Sequence, residues 1–454
     1  MAEPTFNKIT EYIFAPFNSF LFLNVDRLHF IGISNIREQI IQELNKEPLV
    51  LPDCNCQIEW CTEECEDFKK SKGVFTPPGQ INSFIMARVV GETLEETDVP
   101  IKEAICNQFP EHSLAFQNVR FYFHEFGVSI CSASIEITAE KQLSILQLDD
   151  ISERLNEIYR DYFQIISFQL TQKYLAAIQA LDIPYYQFEF FPNIEEVDRG
   201  KHFIPWTHRL YHIEDKTLFE LENPGKPFQF LLTPSRQMGV EDLSIYDNRY
   251  IYFGWGHSII LTTGETSGYS QTNRPPYDYV RLIEIAQANW QCLDVLADLI
   301  DITIASFQEH YAVMGMKKIK QAITEIRDFN IAIDRVLSYF QGVKITFDTE
   351  KRILLDELHD RWLTNEMFMK LQERMTLIQE VLADLYNRQK EQREESLNTI
   401  VLIFTIFSVI EIIALIFDFF AVPLPSIIKF LVIVGGTLLT GLGIIIYIRY
   451  SGRE

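Results

Sequence analysis

The sequence predicts an α+β cytosolic domain that continues through a long helical stalk into a C-terminal hairpin of two transmembrane helices. Residues 399–448 contain two apolar runs of about 20 residues, and each run is long enough to cross a hydrocarbon core of about 30 Å as a helix. Segment 119–137 is rich in aromatic and β-branched residues, which favour strands. Segment 148–181 has apolar residues at helical spacing and predicts a long helix.

Basic residues predict that both ends of the hairpin lie on the cytoplasmic side. Arg388, Lys390 and Arg393 precede the first run, and the tail 449–454 carries two further arginines. An excess of Lys and Arg marks the cytoplasmic face of a membrane protein. No charged segment followed by an apolar one opens the chain, so no cleaved signal peptide is expected. We therefore expect a multi-pass protein of the inner membrane with both termini inside.

The charge balance excludes one large class of partner. The chain has 63 acidic and 40 basic side chains, a net charge of −23. Nucleic-acid binding needs a basic surface, so this balance argues against it. A strongly acidic domain either stays dispersed in solution or concentrates cations near a pore.

The sequence contains no phosphate loop, zinc-protease helix or nucleophile elbow, so we do not expect an enzyme.

Four of the seven cysteines lie in one short stretch: Cys54, Cys56, Cys61 and Cys65. Four thiolates so close together can bind one tetrahedral Zn²⁺, although the usual C-x2-C pair is absent. The stretch therefore predicts either a structural zinc site or reduced thiols in an acidic loop. A cytoplasmic location argues against a disulfide framework. The other three cysteines have apolar neighbours and are expected in the core: Cys106, Cys131 and Cys292.

Residues 1–145 predict an α/β region made of strands and short helices. Two short apolar runs, 20–23 and 28–33, predict a pair of strands or a hairpin. Segment 84–90 predicts another strand. The long strand segment that follows contains Gly127, where we expect a bend.

Residues 146–316 predict a second α/β region in which a similar unit recurs. Segment 249–261 predicts a bent strand pair, and 277–311 predicts a second long helix. Several positions of this strand pair align at one constant offset with the earlier one. The pattern indicates either an internal duplication or a chance similarity between apolar strands. Gly254 and Gly256 predict close packing of a bent strand, because no glycine-containing turn into a helix follows them.

Residues 317–398 predict a helical stalk. One helix is expected to end near Gly342, and a last helix to begin near Asp348 and continue unbroken into the membrane. Its apolar positions follow the steps of a coiled-coil seam: Leu371, Met375, Ile378, Leu382 and Leu385. Nearer the membrane the seam becomes polar, at Gln389, Gln392 and Ser396. Such a stripe is typical either of a helix that lines a hydrated funnel or of a stalk helix that loses its apolar contacts near the membrane.

This layout resembles the CorA family of divalent-cation channels. The resemblance extends from about Met314 to the end, and it includes the stalk-to-membrane junction and the basic end at Arg449 and Arg453. It implies a homo-oligomeric ring, a pentamer, and a divalent cation as the transported ion. The family's Gly-Met-Asn tripeptide is absent, because the corresponding segment 418–423 is DFFAVP. Some divergent relatives are effectors of type III CRISPR defence opened by a nucleotide messenger, which implies a nucleotide-type ligand.

Four residues of the first run follow the spacing of one helical face: Ser408, Glu411, Leu415 and Asp418. In the ring that the resemblance implies, this face forms stacked rings of hydroxyls and carboxylates, which attract cations. Alternatively, Glu411 is protonated and hydrogen-bonded between helices, and Asp418 is an interfacial residue. The sequence thus predicts either a cation channel or transporter gated by its cytosolic domain, or a membrane-anchored sensor or scaffold.

Overall fold

In the computed structural model the chain forms two compact units, one of Met1–Glu309 with Asp328–Ile378 and one of His310–Arg327 with Gln379–Glu454. The structure describes residues 5–24, 27–28, 32–50, 57–62, 84–90, 112–185, 204–232, 241–263, 277–310, 316–342, 349–419, 428, 430 and 434–436. The first unit contains an eight-stranded sheet with helices packed on it. The mixed α+β class and the long C-terminal helix predicted from the sequence are therefore confirmed.

The described elements are as follows. The strands are β1 (Thr5–Phe22), β2 (Gln57–Cys61), β3 (Ile85–Val90), β4 (His112–Phe123), β5 (Phe126–Ser144), β6 (His208–Glu214), β7 (Arg249–Phe253) and β8 (His257–Thr262). The helices are α1 (Ile33–Asn45), α2 (Ile145–Ala180), α3 (Gln229–Leu232), α4 (Tyr277–His310), α5 (Met316–Gly342), α6 (Thr349–Arg361) and α7 (Thr364–Phe419). The strand order is β2-β3-β4-β5-β1-β6-β8-β7. Neighbouring strands are antiparallel, except that β6 and β8 are parallel.

β1 lies inside the sheet, with β5 on one side and β6 on the other. Side chains alternate between the two faces of a strand. Ile13 and Phe17 belong to the core that contains the apolar face of α2, whereas Tyr12 and Phe14 belong to the core that contains residues of α4 and α6. Both faces of β1 are therefore covered by helices, which explains the continuous apolar stretch at 12–17.

α2 begins at a capping box. The Ser144 hydroxyl accepts a hydrogen bond from the backbone N–H of Gln147 at 3.3 Å, and the Gln147 side chain accepts one from the Ser144 N–H at 2.9 Å. These bonds satisfy two donors that have no partner within the helix. The predicted helix 148–181 is thus confirmed, with its start three residues earlier at Ile145.

Other predicted elements are also present. Segment 84–90 contains β3, segment 249–261 contains β7 and β8, and segment 277–311 contains α4. The predicted bend at Gly127 is confirmed, since its φ is +76°. A Cβ there would also overlap the ring of Phe22. Glycine is therefore required for both conformation and space.

The predicted strand 28–33 is wrong. Leu28 is helical, and α1 begins at Ile33. Ile36, Ile40 and Leu44 of α1 are buried at helical spacing in the same core as Leu28. The two described ends of the run are therefore helical, and so short an apolar run cannot be told from a strand by its sequence pattern.

The prediction of one unbroken helix from Asp348 into the membrane is also wrong. α6 ends at Arg361, and α7 begins at Thr364. Between them Trp362 is buried, and Leu363 has a φ of +56°. Residues other than glycine rarely adopt this left-handed backbone conformation. The buried Trp362 and the left-handed Leu363 therefore stand at the break between the two helices.

The predicted regions 1–145 and 146–316 contribute strands to a single sheet. An antiparallel strand pair followed by a long helix occurs twice, as β4–β5 with α2 and as β7–β8 with α4. Whether this recurrence reflects a duplication stays a prediction, and so do the region boundaries.

Candidate functional site

α7 carries the four residues predicted to line a pore. Ser408, Glu411 and Leu415 are exposed along one side of this helix. Asp418 falls within the helix, but its side chain lies outside the described residues. The structure thus confirms that the four positions share a helix, and their lining of a pore stays a prediction.

The apolar part of α7 is largely exposed in the part of the chain that the structure describes. Among the described residues, one helix is long and apolar enough to cross a membrane, and an 18-residue window of it has a mean hydropathy of 2.7 with none of the window buried. Phe404 and Phe407, for example, are 68% and 63% exposed. A helix that is apolar on all sides is stable in lipid or against other protein surfaces and not in water.

The predicted second transmembrane helix lies largely outside the described residues. Ile428, Phe430 and residues 434–436 are helical, and Ile428 and Phe430 are exposed. The two-helix hairpin therefore stays a prediction.

The part of α7 that precedes the apolar run changes from buried to exposed along the predicted seam. Leu371, Met375, Ile378 and Leu385 are buried. Gln389 and Gln392 are half-buried, and Ser396 is exposed. Burial of the apolar seam and the growing exposure towards the apolar run confirm the predicted stripe, whereas its role beside a hydrated funnel stays a prediction.

α6, which precedes α7, is held to the sheet by a buried ion pair. The Arg249 guanidinium of β7 donates from Nε and Nη2 to the Glu350 carboxylate of α6, at 3.1 and 2.8 Å. Tyr279 of α4 donates its hydroxyl to the same carboxylate at 2.7 Å, and the backbone N–H of Ile245 donates at 3.2 Å. Arg249 and Glu350 are 2% and 0% exposed at their side chains. A charge pair buried this deeply is tolerated because its donors and acceptors are satisfied.

A cluster of four tryptophans surrounds the junction between α6 and α7. The rings of Trp255, Trp290 and Trp362 lie 5.2–6.3 Å from that of Trp206. Trp362 Nε1 donates to the Trp255 carbonyl, and Trp290 Nε1 donates to the Trp362 carbonyl, each at 3.0 Å. The contacts of Trp206 with Trp290 and Trp362 are edge-to-face, and the indole donors of Trp290 and Trp362 are satisfied, so these contacts attach the start of α7 to the sheet domain.

The start of α7 also contacts α4. Arg374 donates to the carbonyl of Ala297 at 3.3 Å and pairs with Asp301 at 3.0 Å. Both side chains of the pair are partly exposed, so the pair itself contributes at most about 1 kcal/mol.

A second buried polar group lies between β1, β6 and α2. Glu11 of β1 accepts a hydrogen bond from the Ser152 hydroxyl, and Arg209 donates to Ser152 at 3.0 Å and to Glu153 at 2.7 Å. Burial raises the pKa of Glu11 to about 7, although Arg209 and Ser152 oppose the shift. Among the described residues, Glu11 is therefore the carboxyl that changes its protonation state near neutral pH.

Sequence reasoning missed these buried groups. Glu11, Arg209, Arg249 and Glu350 are each single charged residues in ordinary contexts, and no spacing relates Arg249 to Glu350 across 101 positions. Only the strand order and the packing of α6 bring them together.

The cysteine prediction is not tested by the structure. Cys54, Cys56 and Cys65 lie outside the described residues, and Cys61 lies on β2 with its side chain half-exposed. The zinc site therefore stays a prediction. Cys131 and Cys292 are buried, as predicted, and Cys106 lies outside the described residues.

The comparisons with known proteins give a likeness to solved structures. No family model and no curated protein matches the chain. The chain is similar to the solved structure of the complete CorA magnesium transporter from Methanocaldococcus jannaschii, with 15% identity, a TM-score of 0.20, and coverage of 53% of this chain and 90% of that chain. It is also similar to the soluble domain of that CorA, with 16% identity, a TM-score of 0.15, and coverage of 43% and 93%. CorA is the family that the sequence resembles, but TM-scores this low assign neither a shared fold nor a shared activity.

Proposed function

We propose that the chain is one subunit of a membrane cation channel or transporter with a CorA-like architecture. The observation that carries the proposal is Glu411, an exposed carboxylate within the exposed apolar window of α7. A charged side chain at the centre of a bilayer costs roughly 2.5–3.5 kcal/mol on insertion scales. Glu411 therefore needs water or a polar partner, while its apolar neighbours need lipid or protein.

Both needs are met if several copies of α7 surround a hydrated path. Ser408, Glu411 and Leu415 then face the path, and the remaining apolar residues face lipid or other helices. A single α7 cannot enclose a pore, so the proposal requires a homo-oligomer, and the CorA resemblance suggests a pentamer. Rings of carboxylates attract and select cations.

The proposed topology places the sheet domain in the cytoplasm of a cell with an inner membrane. The second apolar run returns the chain to the same side, next to the basic tail.

We propose a divalent cation as the transported ion. We also propose that the cytosolic domain gates the pore, with a nucleotide-type ligand as the opening signal.

A liposome flux assay tests the proposal. Full-length protein is reconstituted into vesicles loaded with a Mg²⁺-sensitive or a K⁺-sensitive dye, and uptake is followed with and without ATP and S-adenosylmethionine. The proposal predicts uptake by the wild type and a large loss for Glu411→Ala, while the apolar control Ile412→Ala conducts normally. If all three proteins leave the vesicles sealed to both ions, conduction is wrong and the chain is a membrane-anchored sensor or scaffold.

A further inference from the structure

We propose that a basic cavity beside the proposed membrane surface binds the phosphate of an anionic phospholipid headgroup. The cavity has a volume of ≈ 470 Å³ and is lined by Lys320 of α5 and by residues of α7: Gln389, Arg393, Ser396 and Leu397. All five lie in the unit of His310–Arg327 and Gln379–Glu454. The inference rests on the proposed membrane insertion of α7 but not on ion conduction.

The charge of the cavity favours an anion. Among the described residues that line it, the two charged ones, Lys320 and Arg393, are both cationic, although the whole chain has a net charge of −23. Neither cation forms an ion pair with a carboxylate in the part of the chain that the structure describes. The Gln389 amide and the Ser396 hydroxyl add neutral donors. An Arg guanidinium and a Lys ammonium on facing helices are suited to the oxygens of one phosphate.

The acidic residues of the neighbouring segment of α7 are not among the described residues that line the cavity. Helical spacing places Gln389, Arg393 and Ser396 along one side of α7. Three glutamates of the same segment lie on the other side of the helix: Glu391, Glu394 and Glu395. The cavity therefore keeps a local positive charge within an acidic segment.

The position of the cavity favours a lipid over a soluble anion. Arg393 precedes Thr399, the start of the apolar run, by six residues, which is about 9 Å along a helix. Each headgroup layer of a bilayer is about 5–8 Å thick. Lys and Arg side chains can extend along the helix towards that layer. Leu397, which is 59% exposed, gives the cavity an apolar wall on the membrane side, where acyl chains begin.

Native mass spectrometry of the full-length protein in detergent tests the inference. The protein is titrated with dioleoyl-phosphatidylglycerol, with dioleoyl-phosphatidylcholine and with glycerol 3-phosphate. We expect saturable binding of phosphatidylglycerol that is at least fivefold tighter than binding of phosphatidylcholine. Removal of one cation near the membrane surface weakens the binding of an anionic lipid about fivefold. Lys320→Gln and Arg393→Gln should each show this loss, whereas Lys390→Gln, on the same helix outside the cavity, should change binding less than twofold.

The remaining outcomes overturn the inference in distinguishable ways. Equal weakening by Lys390→Gln would mean a diffuse surface charge, and binding of glycerol 3-phosphate as tight as that of the lipid would mean a soluble ligand. Loss of the oligomer in Arg393→Gln would mean that the cavity is a contact between subunits. Flotation of the wild type with phosphatidylcholine vesicles, measured separately, tests membrane insertion. A protein that floats but shows no preference for phosphatidylglycerol contradicts the headgroup site alone, and one that does not float contradicts the proposed function as well.

Discussion

Arg249 and Glu350 form a buried bidentate ion pair. This pair joins β7, an edge strand of the sheet, to α6. Tyr279 of α4 donates to the same carboxylate, so three elements converge on Glu350. α6 is separated from α7 by Trp362 and Leu363 alone. A displacement of the sheet edge would therefore reach the start of α7 through buried contacts.

Arg249→Met should strongly destabilise the domain that contains the sheet. Removing one partner of a buried pair leaves the other charge unsatisfied and costs about 3–5 kcal/mol. Arg88→Met is a matched control, because Arg88 pairs with Glu59 between neighbouring strands while both side chains are 43% exposed. The control should cost at most about 1 kcal/mol. Thermal unfolding followed by tryptophan fluorescence in detergent compares the two, and equal midpoints would show that the buried pair has no special importance.

The joint between α6 and α7 contains measurable backbone strain. Leu363 has a φ of +56° and is 50% exposed. A left-handed conformation costs a residue with a Cβ about 1–2 kcal/mol. Leu363→Gly should therefore be more stable than Leu363→Ala by about 1 kcal/mol, the reverse of the usual order of Ala and Gly in a helix. The melting midpoints of the two variants check this, and a more stable alanine variant would contradict it.

Gly254 and Gly256 should respond differently to the same substitution. A Cβ on Gly254 would overlap the backbone carbonyl of Leu232, whereas a Cβ on Gly256 has nothing within 4 Å. Gly254→Ala should lower the free energy of unfolding by about 1–3 kcal/mol, and Gly256→Ala by less than about 0.5 kcal/mol. Thermal melts of both variants test this prediction. A similar small effect at both positions would show that the Leu232 backbone can move without cost.

Glu11 should make stability depend on pH. Burial raises the pKa of Glu11 to about 7 from an ordinary 4.5, so between these values the folded protein holds a proton that the unfolded chain has lost. Stability from this group is therefore complete below pH 4.5 and falls as pH rises to 7. The full loss is on the order of 3 kcal/mol.

Glu11→Gln keeps the shape of the protonated form and removes this dependence. The variant should unfold at a higher temperature than the wild type at pH 8, and the difference should disappear towards pH 5. Burial lowers the pKa of His208 and of His257 to about 3, so both histidines destabilise the fold below pH 6.5 equally in the two proteins. The comparison therefore isolates Glu11. A melting difference that stays constant with pH would contradict the assignment.

The sequence predicted best the elements whose structure depends on the residues of one local segment. α2 and α4 were predicted within three residues of their bounds, because both are long and have a clear helical period. The bend at Gly127 was also predicted, since glycine marks a local backbone requirement. The break at Trp362 was missed because no glycine or proline marks it, and tertiary packing of the indole determines where α6 ends.

The candidate site was predictable only along the apolar run of α7. Ser408, Glu411 and Leu415 share one helix, so their relation follows from spacing. The contacts of Glu350 with Arg249 and of Lys320 with the cavity of α7 depend on the packing of distant elements. No periodicity in a single sequence contains that information.

The selectivity of the reconstituted protein tests the central claim most directly. In a planar bilayer with a tenfold MgCl₂ gradient, the reversal potential reports whether cations or anions cross. A carboxylate ring at Glu411 predicts a reversal potential close to that of Mg²⁺ for the wild type, a shift towards zero for Glu411→Gln, and a shift towards that of Cl⁻ for Glu411→Lys. Currents whose reversal potential is the same in all three proteins would contradict the claim that Glu411 faces the conduction path.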